Sequence, residues 1–508
     1  MKILMVTAEA APYAQVGGLS QVIYFLAKSL VKKGHDVRIF MPKYGIIQNS
    51  KLKTKPLVTG LNVPMGQLTI RPTICNVRVS RKESQEPPTY FLENREYYEL
   101  RANVFAYKDD HIRFLLLSRG VLEWLLQEKS RSDGWIPDII HCHDWHTGYL
   151  VEEIRKNPRY NSILKKIPVL YTVHNFRYQG NADLKHQEKE KKDRGLKRLN
   201  TTNPDKLLWQ NPLLRGLIYA DWVNTVSETY AKEVLQPPYG EGLEETLNKV
   251  KGKFSGILNG LDRQEFNPKI DPFIEYNYDL NSLKKRELNK IVLQRMFHLP
   301  EKKEVFTAAF VGRLSKQKGL DLLIPVVENF LNEFEAQFIF LGDGQSEYKN
   351  ALTNLRQKFS NQVGIHLRTD FKLPRKIFAG ADIILVPSAF EPGGIVALEA
   401  MSYGAIPLAH KTGGLADSIE DFNLTSKRGT GFLFKKFSTW SLFATLVRSK
   451  TLFGDKKIWL NLERKAMQKD FSWDKVAMEY LSLYKRVKKQ RNKFIKDNPH
   501  LVYKLMEK

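Results

Sequence analysis

The chain has 508 residues, 42% hydrophobic and 27% charged, proportions typical of a folded soluble protein and not of a disordered or fibrous one. Its length predicts about two to four domains. No stretch reaches the roughly 18 consecutive apolar residues of a membrane span, and the apolar start of the chain is too short for a signal peptide. Two cysteines, Cys75 and Cys142, exclude a disulfide framework. We therefore expect a cytoplasmic protein.

The charge balance favours anionic partners. Lysine and arginine number 80 against 55 acidic residues, a formal net charge of +25. This excess suits nucleic acid, an anionic membrane surface or a phosphorylated small molecule, and it equally suits a plain lysine-rich surface. Charge alone does not choose among these partners. The sequence contains no recognisable nucleic-acid-binding motif and no Cys/His set with zinc spacing.

The first part of the chain alternates strands with helices. A strand over 2–9 is followed by a loop with Gly17 and Gly18, a helix that ends at Gly34, and a strand over 36–41. Further short strands are predicted over 138–141, 168–173 and 220–226. Strands that alternate with helices predict a parallel, doubly wound sheet.

A second series of strands begins after about residue 300. It is predicted over 305–311, 337–341, 382–386 and 405–409, with helices between. The chain is therefore predicted to be α/β, with two Rossmann-like domains in tandem. Ligands of such sheets bind beyond the carboxyl ends of the strands, and a crevice between two domains is the expected site.

Two segments differ in composition from the rest. Residues 183–206 are highly charged and poor in apolar side chains, which predicts a mobile surface insertion. Residues 473–487 have the periodicity of an amphipathic helix, and a tail rich in lysine and arginine follows from Lys485 to Lys508.

Two glycine pairs follow predicted strands. Gly17-Gly18 precedes the first helix, and Gly413-Gly414 follows the strand over 405–409. Glycine has no Cβ, so a ligand can approach the backbone closely, and a helix N-terminus favours an anion. Both pairs are also consistent with ordinary turns.

Histidines cluster after two predicted strands. The segment His141-Cys142-His143-Asp144-Trp145-His146 suits binding of a hydroxyl-rich substrate, and a hydrogen-bonded structural cluster is the alternative. A metal site would lack clear third and fourth ligands. His174 follows the next strand, where it could hydrogen-bond a sugar hydroxyl, transfer a proton or serve the structure alone.

Cations and carboxylates follow strands of the second series. Arg313 and Lys318 lie after the strand over 305–311, where two fixed cations would neutralise a diphosphate as its charge develops. Surface solubility is the alternative. Glu391 and Glu399 flank a Gly393-Gly394 turn before a predicted helix. Glu399 could accept from ribose hydroxyls and Glu391 could reach the sugar, and a carboxylate beside a helix N-terminus is expected to stay ionised.

Eight segments, in order, resemble those of bacterial glycogen and starch synthases, retaining glucosyltransferases of the GT-B fold. They are GGL (17–19), HCHDWHTG (141–148), TVHNFRYQG (172–180), YADWVNTVSETYAKEV (219–234), GILNGLDRQEFNP (256–268), GRLSKQKGLDLL (312–323), AGADIILVPSAFEPGGIVALEAMSYG (379–404) and TGGLAD (412–417). They span nearly the whole chain. The segment with Glu391 and Glu399 marks a broader glycosyltransferase group, whereas HDWH, HNxxYQG and LNGxD together are much more specific to the glycogen and starch synthases.

The resemblance implies two Rossmann-like doubly wound domains facing across a deep crevice. Residues 1–258 would form the acceptor-side domain of starch synthase catalytic type, and residues 259–472 the donor-binding domain. Residues 473–508 would form a helix that crosses back to the first domain, with a basic tail.

The resemblance also implies roles for individual residues. Glu391, His174, Arg313 and Lys318 would be catalytic: the two cations would hold the distal phosphate of ADP-glucose or UDP-glucose, and Glu391 and His174 would contact the glucose. Further donor contacts would come from Gln15, Gly17, Gly18, Asn259, Gly393, Gly394, Glu399, Thr412, Gly413 and Gly414. Asp144, His146 and Tyr178 would lie on the acceptor side.

The implied reaction transfers glucose to the non-reducing end of an α-1,4-glucan with retention of configuration. Front-face attack assisted by the leaving diphosphate would need neither an enzymic nucleophile nor a metal or other cofactor. The partners would be a nucleotide sugar and a glucan, with no nucleic acid and no membrane contact.

The chain departs from the family pattern at four places. Gln15 stands where the family usually has a donor-contacting lysine, which leads to the hypothesis that donor affinity or donor preference is altered. Ser20 and Gln21 replace residues that usually include an acid, and Gly393 stands where bacterial synthases often have cysteine. Glu399 is present although many bacterial glycogen synthases lack it.

Three alternatives stay open beside a glycogen or starch synthase. One is a related retaining transferase with a lipid or short oligosaccharide acceptor, and another is a glucan-binding protein without catalysis. The third, a nucleic-acid-binding protein, is suggested by charge alone. The sequence leaves the donor base, the oligomeric state and the roles of the insertion and the tail open.

Overall fold

The computed structural model describes residues 1–48, 54–77, 85–180, 182–197 and 203–498. It contains two compact units. Residues 1–257 and the C-terminal residues from Trp473 onward form the first, and Leu258–Ser472 form the second. Within the described ranges, the helices are all too short or too polar to cross a membrane.

The first unit is built on a nine-stranded sheet. Its strands are β1 (Lys2–Val6), β2 (Asp36–Pro42), β3 (Thr54–Val58), β4 (Val63–Met65), β5 (Leu68–Ile70), β6 (Thr73–Val77), β7 (Thr89–Glu93), β8 (Ile139–His143), β9 (Val169–Val173), β10 (Trp222–Thr225) and β11 (Phe254–Gly256). The sheet order is β11-β10-β9-β8-β1-β2-β7-β6-β3, and β4 pairs separately with β5. The strands predicted from the sequence in this part of the chain are all present.

The prediction of a purely parallel sheet is wrong at one edge. Strands β11 to β7 pair in parallel, but β6 pairs antiparallel with β7 and β3 antiparallel with β6. Most residues of β3 are exposed. Strands buried on both faces read as continuous apolar runs, and β3 lacks such a run. The pattern that predicts parallel strands is therefore missing here.

Helices cover the sheet of the first unit. Those before residue 258 are α1 (Gly18–Lys32), α2 (Gly45–Gln48), α3 (Asp110–Ser130), α4 (Gly148–Lys156), α5 (Pro158–Leu164), α6 (Pro204–Leu207), α7 (Pro212–Tyr219), α8 (Glu228–Glu233) and α9 (Glu244–Val250). In α1, the buried side chains include Val22, Ile23, Leu26 and Leu30. This spacing puts one apolar stripe of the helix against the core.

The second unit contains a wholly parallel sheet. Its strands are β12 (Phe306–Val311), β13 (Ala336–Leu341), β14 (Val363–His366), β15 (Ile383–Val386), β16 (Ile406–His410) and β17 (Phe432–Phe434), in the order β14-β13-β12-β15-β16-β17. Its helices are α10 (Arg286–Met296), α11 (Leu320–Glu333), α12 (Ser346–Lys358), α13 (Leu373–Gly380), α14 (Ile395–Ser402), α15 (Gly413–Ser418), α16 (Thr439–Phe453) and α17 (Lys456–Gln468). The four predicted strands are confirmed, and β14 and β17 are additional.

The last helix, α18 (Trp473–Asp497), packs within the first unit. The Ser29 hydroxyl donates to Asp474 Oδ1 at 2.8 Å, and Tyr480 and Tyr484 are buried. The helix continues beyond the predicted amphipathic segment. Residues 499–508 of the basic tail lie outside the described residues.

A buried ion pair helps to hold the charged segment 183–206 to the first unit. The Asp193 carboxylate accepts from Arg215 Nε at 2.8 Å and from the backbone amide of Asn211 at 3.0 Å. The interpretation as a surface insertion misses this anchor, although most of the segment's other charges are exposed. Residues 198–202, part of the predicted mobile insertion, lie outside the described residues.

In both sheets the chain changes direction beside its first strand. The sheet order puts β1 between β2 and β8, and β12 between β13 and β15. Loops diverge at the carboxyl ends of such strand pairs, and ligands of doubly wound sheets bind there. The topology therefore directs attention to the loops after β1 and β8 in the first unit, and to those after β12 and β15 in the second.

Candidate functional site

Three loops meet at the carboxyl ends of β12, β15 and β16. The Ala389 amide donates to the Gln317 carbonyl at 2.9 Å, and the Gly414 amide donates to the Glu391 carbonyl at 2.9 Å. Loops 312–319, 387–394 and 411–414 therefore form one connected structure. The predicted residues that they carry are Arg313, Lys318, Glu391, Gly393, Gly394, Thr412, Gly413 and Gly414.

An ion pair lies at the centre of this structure. Lys318 Nζ is 2.6 Å from Glu391 Oε2, and the Ser388 hydroxyl donates to the same oxygen at 2.9 Å. Ser388 is fully buried, and its carbonyl accepts from Nδ1 of the buried His410 at 2.9 Å. Two predicted catalytic residues are thus brought together, with the carboxylate held in one orientation.

The glycine pair at 413–414 is required by the packing of the neighbouring loop. Gly413 has a φ of +46°, and a Cβ on it would lie 2.1 Å from the Glu391 carbonyl oxygen. A Cβ on Gly414 would lie 2.5 Å from the carbonyl carbon of Gly393. Side chains at either position would push the Glu391 loop away. Gly394, with a φ of +64°, caps the start of α14.

The other predicted donor residues of the second unit differ in exposure. Arg313 is exposed, and Thr412 is buried where it caps α15. Asn259 is 4% exposed, and its Oδ1 lacks a hydrogen-bond partner among the described residues. An unsatisfied buried amide oxygen is unusual, so Asn259 is well suited to accept a hydrogen bond from a ligand.

Glu399 departs from the expectation that a carboxylate beside a helix N-terminus stays ionised. Burial raises its pKa from 4.5 to about 8, although Arg375 acts in the opposite direction. Arg375 is itself paired with Glu265 and lies 3.4 Å from Asp271 Oδ2. The charge of Arg375 is therefore shared among three carboxyl groups. The positive N-terminal end of the α14 dipole does not outweigh the desolvation of Glu399, which lies about one turn inside the helix.

The loop that carries Gln15, Gly17 and Gly18 is shaped by a residue that the sequence analysis missed. Glu9 follows β1 and is 3% exposed. Its Oε2 accepts from the backbone amides of Val16 at 2.6 Å and of Gly17 at 3.3 Å. Burial raises the pKa of Glu9 to about 7 against these two hydrogen bonds. Its place shortly after β1 and before the glycine pair is the signal that the sequence offers.

Asp144 holds the neighbouring loop in a similar way. It follows β8 with a φ of +56°, a strained conformation for a residue other than glycine. Its Oδ1 accepts from the backbone amide of His174 at 2.7 Å. Burial raises the pKa of Asp144 to about 7, and the charge of Glu9 adds to this effect.

His174 and His143 are in direct contact. His143 Nδ1 is 3.2 Å from His174 Nε2. Burial lowers the pKa of His174 to about 3 and holds the pKa of His143 well below its ordinary value. Both rings are therefore neutral at pH 7. A neutral His174 can exchange hydrogen bonds with a sugar hydroxyl but does not act there as a cation.

The remaining acceptor-side residues have different environments. His146 is buried and packs against the rings of Phe105, Phe114 and Trp145, with centroid distances of 4.7, 4.6 and 4.1 Å. Tyr178 is 46% exposed and can meet a ligand. Across the described ranges, no three or more His, Cys, Asp or Glu side chains are grouped to hold a metal ion.

Family models match both units. Residues 2–249 match the starch synthase catalytic domain, and residues 294–450 match glycosyl transferases group 1. A glycogen synthase from Anoxybacillus flavithermus is 35% identical over 487 residues, which cover 95% of this chain and 97% of that protein. Glycogen synthase 1 from Synechocystis is 35% identical over 487 residues, which cover 96% of this chain and 95% of that protein.

Solved structures agree with these matches. The catalytic domain of starch synthase IV from Arabidopsis thaliana, bound to ADP and acarbose, has 31% identity and a TM-score of 0.82 over 96% of this chain and 99% of that chain. A sucrose-phosphate synthase from Thermosynechococcus elongatus, at 17% identity and a TM-score of 0.59 over 96% of this chain and 98% of that chain, shares the fold alone. The chain belongs to the glycogen synthase family of glycosyltransferases, and its two α/β units have the GT-B fold.

Proposed function

We propose that this protein transfers glucose from ADP-glucose or UDP-glucose to the non-reducing end of an α-1,4-glucan, with retention of configuration. The observation that carries this proposal is the Lys318–Glu391 pair, held by Ser388 where three strand-end loops meet. Membership of the family supports the reaction class. The two cysteines, both unpaired, agree with a cytoplasmic location.

In the proposed reaction, Lys318 and Arg313 stabilise the diphosphate. Negative charge develops on the leaving diphosphate as the bond to glucose breaks, and fixed cations stabilise that charge more than the ground state. Lys318 already shares its charge with Glu391, so its position is set before the donor binds. This cationic pair supplies the charge that a metal ion would otherwise supply, and we propose that none is needed.

Other residues of the second unit would orient the donor. Glu399 would accept from the ribose hydroxyls, and Asn259 would use its unpartnered Oδ1. The pKa of Glu399 is raised. Hydrogen bonds from the ribose hydroxyls would stabilise its ionised form and so lower that pKa. Glu391 would face the glucose with the oxygen that Ser388 and Lys318 do not bind.

The first unit would supply the glucose and acceptor contacts. His174, neutral and held through its backbone by Asp144, would hydrogen-bond the transferred glucose. Tyr178, exposed on the same loop, would contact the glucan. Gln15 and the Gly18 amide would meet the donor from the loop that Glu9 holds through the Val16 and Gly17 amides.

ADP-glucose is the donor that we favour, since the starch synthase IV structure contains ADP. The test is transfer of radiolabelled glucose to glycogen from ADP-glucose or UDP-glucose, with release of the nucleoside diphosphate followed in parallel. A chelator arm tests the need for a metal. Digestion by an enzyme specific for α-1,4 linkages, and NMR of the new anomeric proton, test linkage and retention.

The proposal is supported if the parent incorporates glucose from either donor and Glu391→Gln does not. The donor that is used identifies the nucleotide base. Glycogen binding without incorporation from either donor contradicts it and favours another acceptor or a glucan-binding protein. Incorporation that the chelator abolishes contradicts the metal-free mechanism alone.

A further inference from the structure

A chain of contacts in the first unit joins the C-terminal helix to His174. The Tyr484 hydroxyl of α18 lies 2.9 Å from His141 Nδ1, and the Thr172 hydroxyl lies 2.7 Å from His141 Nε2. Tyr484 and His141 are fully buried. Both ring nitrogens of His141 therefore have partners, which fix the ring in one orientation.

The His141 ring supports the next histidine by packing. His141 and His143 point to the same side of β8, because successive side chains of a strand alternate, and their ring centroids are 3.9 Å apart. His143 is fully buried and contacts His174 through Nδ1. Its other nitrogen, Nε2, has no hydrogen-bond partner in the part of the chain that the structure describes.

This unpartnered atom decides the direction of the His143–His174 hydrogen bond. A neutral imidazole has one N–H donor and one acceptor nitrogen. If His143 carried its proton on Nε2, a buried N–H would be orphaned, which is rarer than an under-satisfied acceptor. His143 therefore donates from Nδ1 to His174 Nε2. His174 must then carry its own proton on Nδ1.

We propose that His143 is a positioning residue, which holds His174 as the Nδ1–H tautomer, and that Tyr484 secures this arrangement from the C-terminal helix through His141. The proposal rests on the proposed function in that His174 is taken to contact the transferred glucose. It assigns to His141, His143 and α18 a part in the reaction without any contact with substrate.

The first test compares two substitutions of His143. His143→Asn keeps an N–H donor near the position of Nδ1, whereas His143→Leu removes the donor. With 15N-labelled histidine, the ring nitrogen shifts of His174 should report Nδ1–H in the parent and in His143→Asn. In His143→Leu they should move toward the Nε2–H form, which free histidine prefers.

Activity should follow the tautomer. His143→Leu should lower kcat by about 10²-fold, the cost of a misplaced reacting group, with little change in the KM for glycogen. His143→Asn should restore most of kcat. Unchanged His174 shifts in His143→Leu, or equal loss of kcat in both variants, would overturn the proposal.

The second test removes one hydroxyl from α18 and guards against misfolding. Tyr484→Phe should lower kcat and broaden or shift the His174 signals, although less than His143→Leu. Tyr149→Phe is the matched control, since its buried hydroxyl has no hydrogen-bond partner among the described residues. Equal effects of the two substitutions would overturn the role of Tyr484.

The two proposals can fail separately. If the parent transfers no glucose from either donor, or if His174→Ala keeps the parent kcat, the proposed function or the role of His174 in it fails. The ring nitrogen shifts test the His143–His174 relation without any turnover.

Discussion

Lys318 Nζ lies 2.6 Å from Glu391 Oε2. The lysine that we propose to bind the diphosphate is therefore held by a carboxylate, and the Ser388 hydroxyl donates a hydrogen bond to the same carboxylate oxygen. Side chains on flexible stems lose entropy when they are ordered. In the proposed reaction, the contact with Glu391 would reduce that cost for Lys318, and the developing charge of the diphosphate would meet a cation whose position is already fixed.

Replacement of Lys318 by alanine should therefore impair the chemical step. We expect kcat to fall by about 10²–10³-fold, as when one preorganised donor to a developing charge is removed. Steady-state kinetics with saturating glycogen would measure it. Lys358→Ala is the control, because Lys358 pairs with Glu328 on an exposed surface of the same unit. A kcat near that of the parent in Lys318→Ala would contradict the role.

Gly413→Ala should displace the Glu391 loop. The substitution forces a Cβ onto a backbone with a φ of +46° and to within 2.1 Å of the Glu391 carbonyl oxygen. We expect a loss of about 1–3 kcal/mol in the free energy of unfolding from backbone strain, together with loss of transfer activity.

Gly252→Ala is the matched control for this glycine. A Cβ at Gly252 would meet no heavy atom within 4 Å, so stability and activity should remain close to those of the parent. Denaturant unfolding and the transfer assay measure both effects. Equal behaviour of the two alanine variants would show that the contact between the two loops is unimportant.

The sequence predicts the central strands of both sheets and several residues of the candidate site, whereas β3, β6, β7, β11, β14 and β17 are not predicted. Buried parallel strands such as β1 and β9 are short continuous apolar runs, and a sequence pattern detects them. Glu391 and Lys318 are predicted from their places after strands. Their direct contact is not predicted, because it depends on the tertiary approach of two loops separated by many residues.

The residues that sequence reasoning missed act through the backbone or through burial. Glu9 accepts hydrogen bonds from the backbone amides of Val16 and Gly17, and no sequence motif predicts this contact between a side chain and the backbone. The raised pKa of Glu399 follows from desolvation, which only the packed structure determines. The edge strand β3 is mostly exposed and lacks the apolar run that marks the central strands.

Donor binding should strengthen as the pH rises through about 8. The pKa of Glu399 in the folded chain is about 8, and ribose hydroxyls donate best to its ionised form. Binding then releases a proton from any Glu399 that is still protonated. Titration calorimetry in buffers of different ionisation enthalpy should detect this release at pH 7, with KM for the donor falling from pH 7 to pH 9. Glu399→Gln should abolish both effects, and a proton release that persists in this variant would assign it elsewhere.

Glu9→Ala should loosen the loop that carries Gln15. Without the carboxylate, the Val16 and Gly17 amides lose their shared acceptor, so their hydrogen exchange should accelerate and the donor KM should rise. Glu9→Gln keeps an acceptor oxygen and should retain much of the parent behaviour. Equal exchange rates in Glu9→Ala and the parent would show that another group holds the loop.

Glu9 also predicts a pH dependence of stability. Its pKa of about 7 in the folded chain lies above the ordinary value of 4.5, so the native state binds the proton more tightly than the unfolded state does. The contribution of this group to the free energy of unfolding should therefore fall as the pH rises from about 4.5 to 7. Glu9→Gln should reduce that slope in denaturant unfolding. A slope unchanged from that of the parent would contradict the raised pKa.

Gln15→Lys should alter the use of the donor. Gln15 is exposed, on the loop that Glu9 holds beside Gly17 and Gly18. A lysine there would add one positive charge near the proposed diphosphate, and a charged partner contributes more to binding than a neutral amide does. We expect a lower donor KM, an altered ratio of ADP-glucose to UDP-glucose use, and a steeper dependence of KM on salt.

Val16→Lys is the control for this substitution. Val16 is adjacent and 56% exposed, so the variant adds the same charge at a neighbouring position. Kinetics with both donors at two ionic strengths would separate a specific contact from a general field. Identical kinetics of Gln15→Lys and the parent would show that position 15 does not meet the donor. Equal effects of the two lysines would show that net charge near the loop, and not a contact made by residue 15, sets donor affinity.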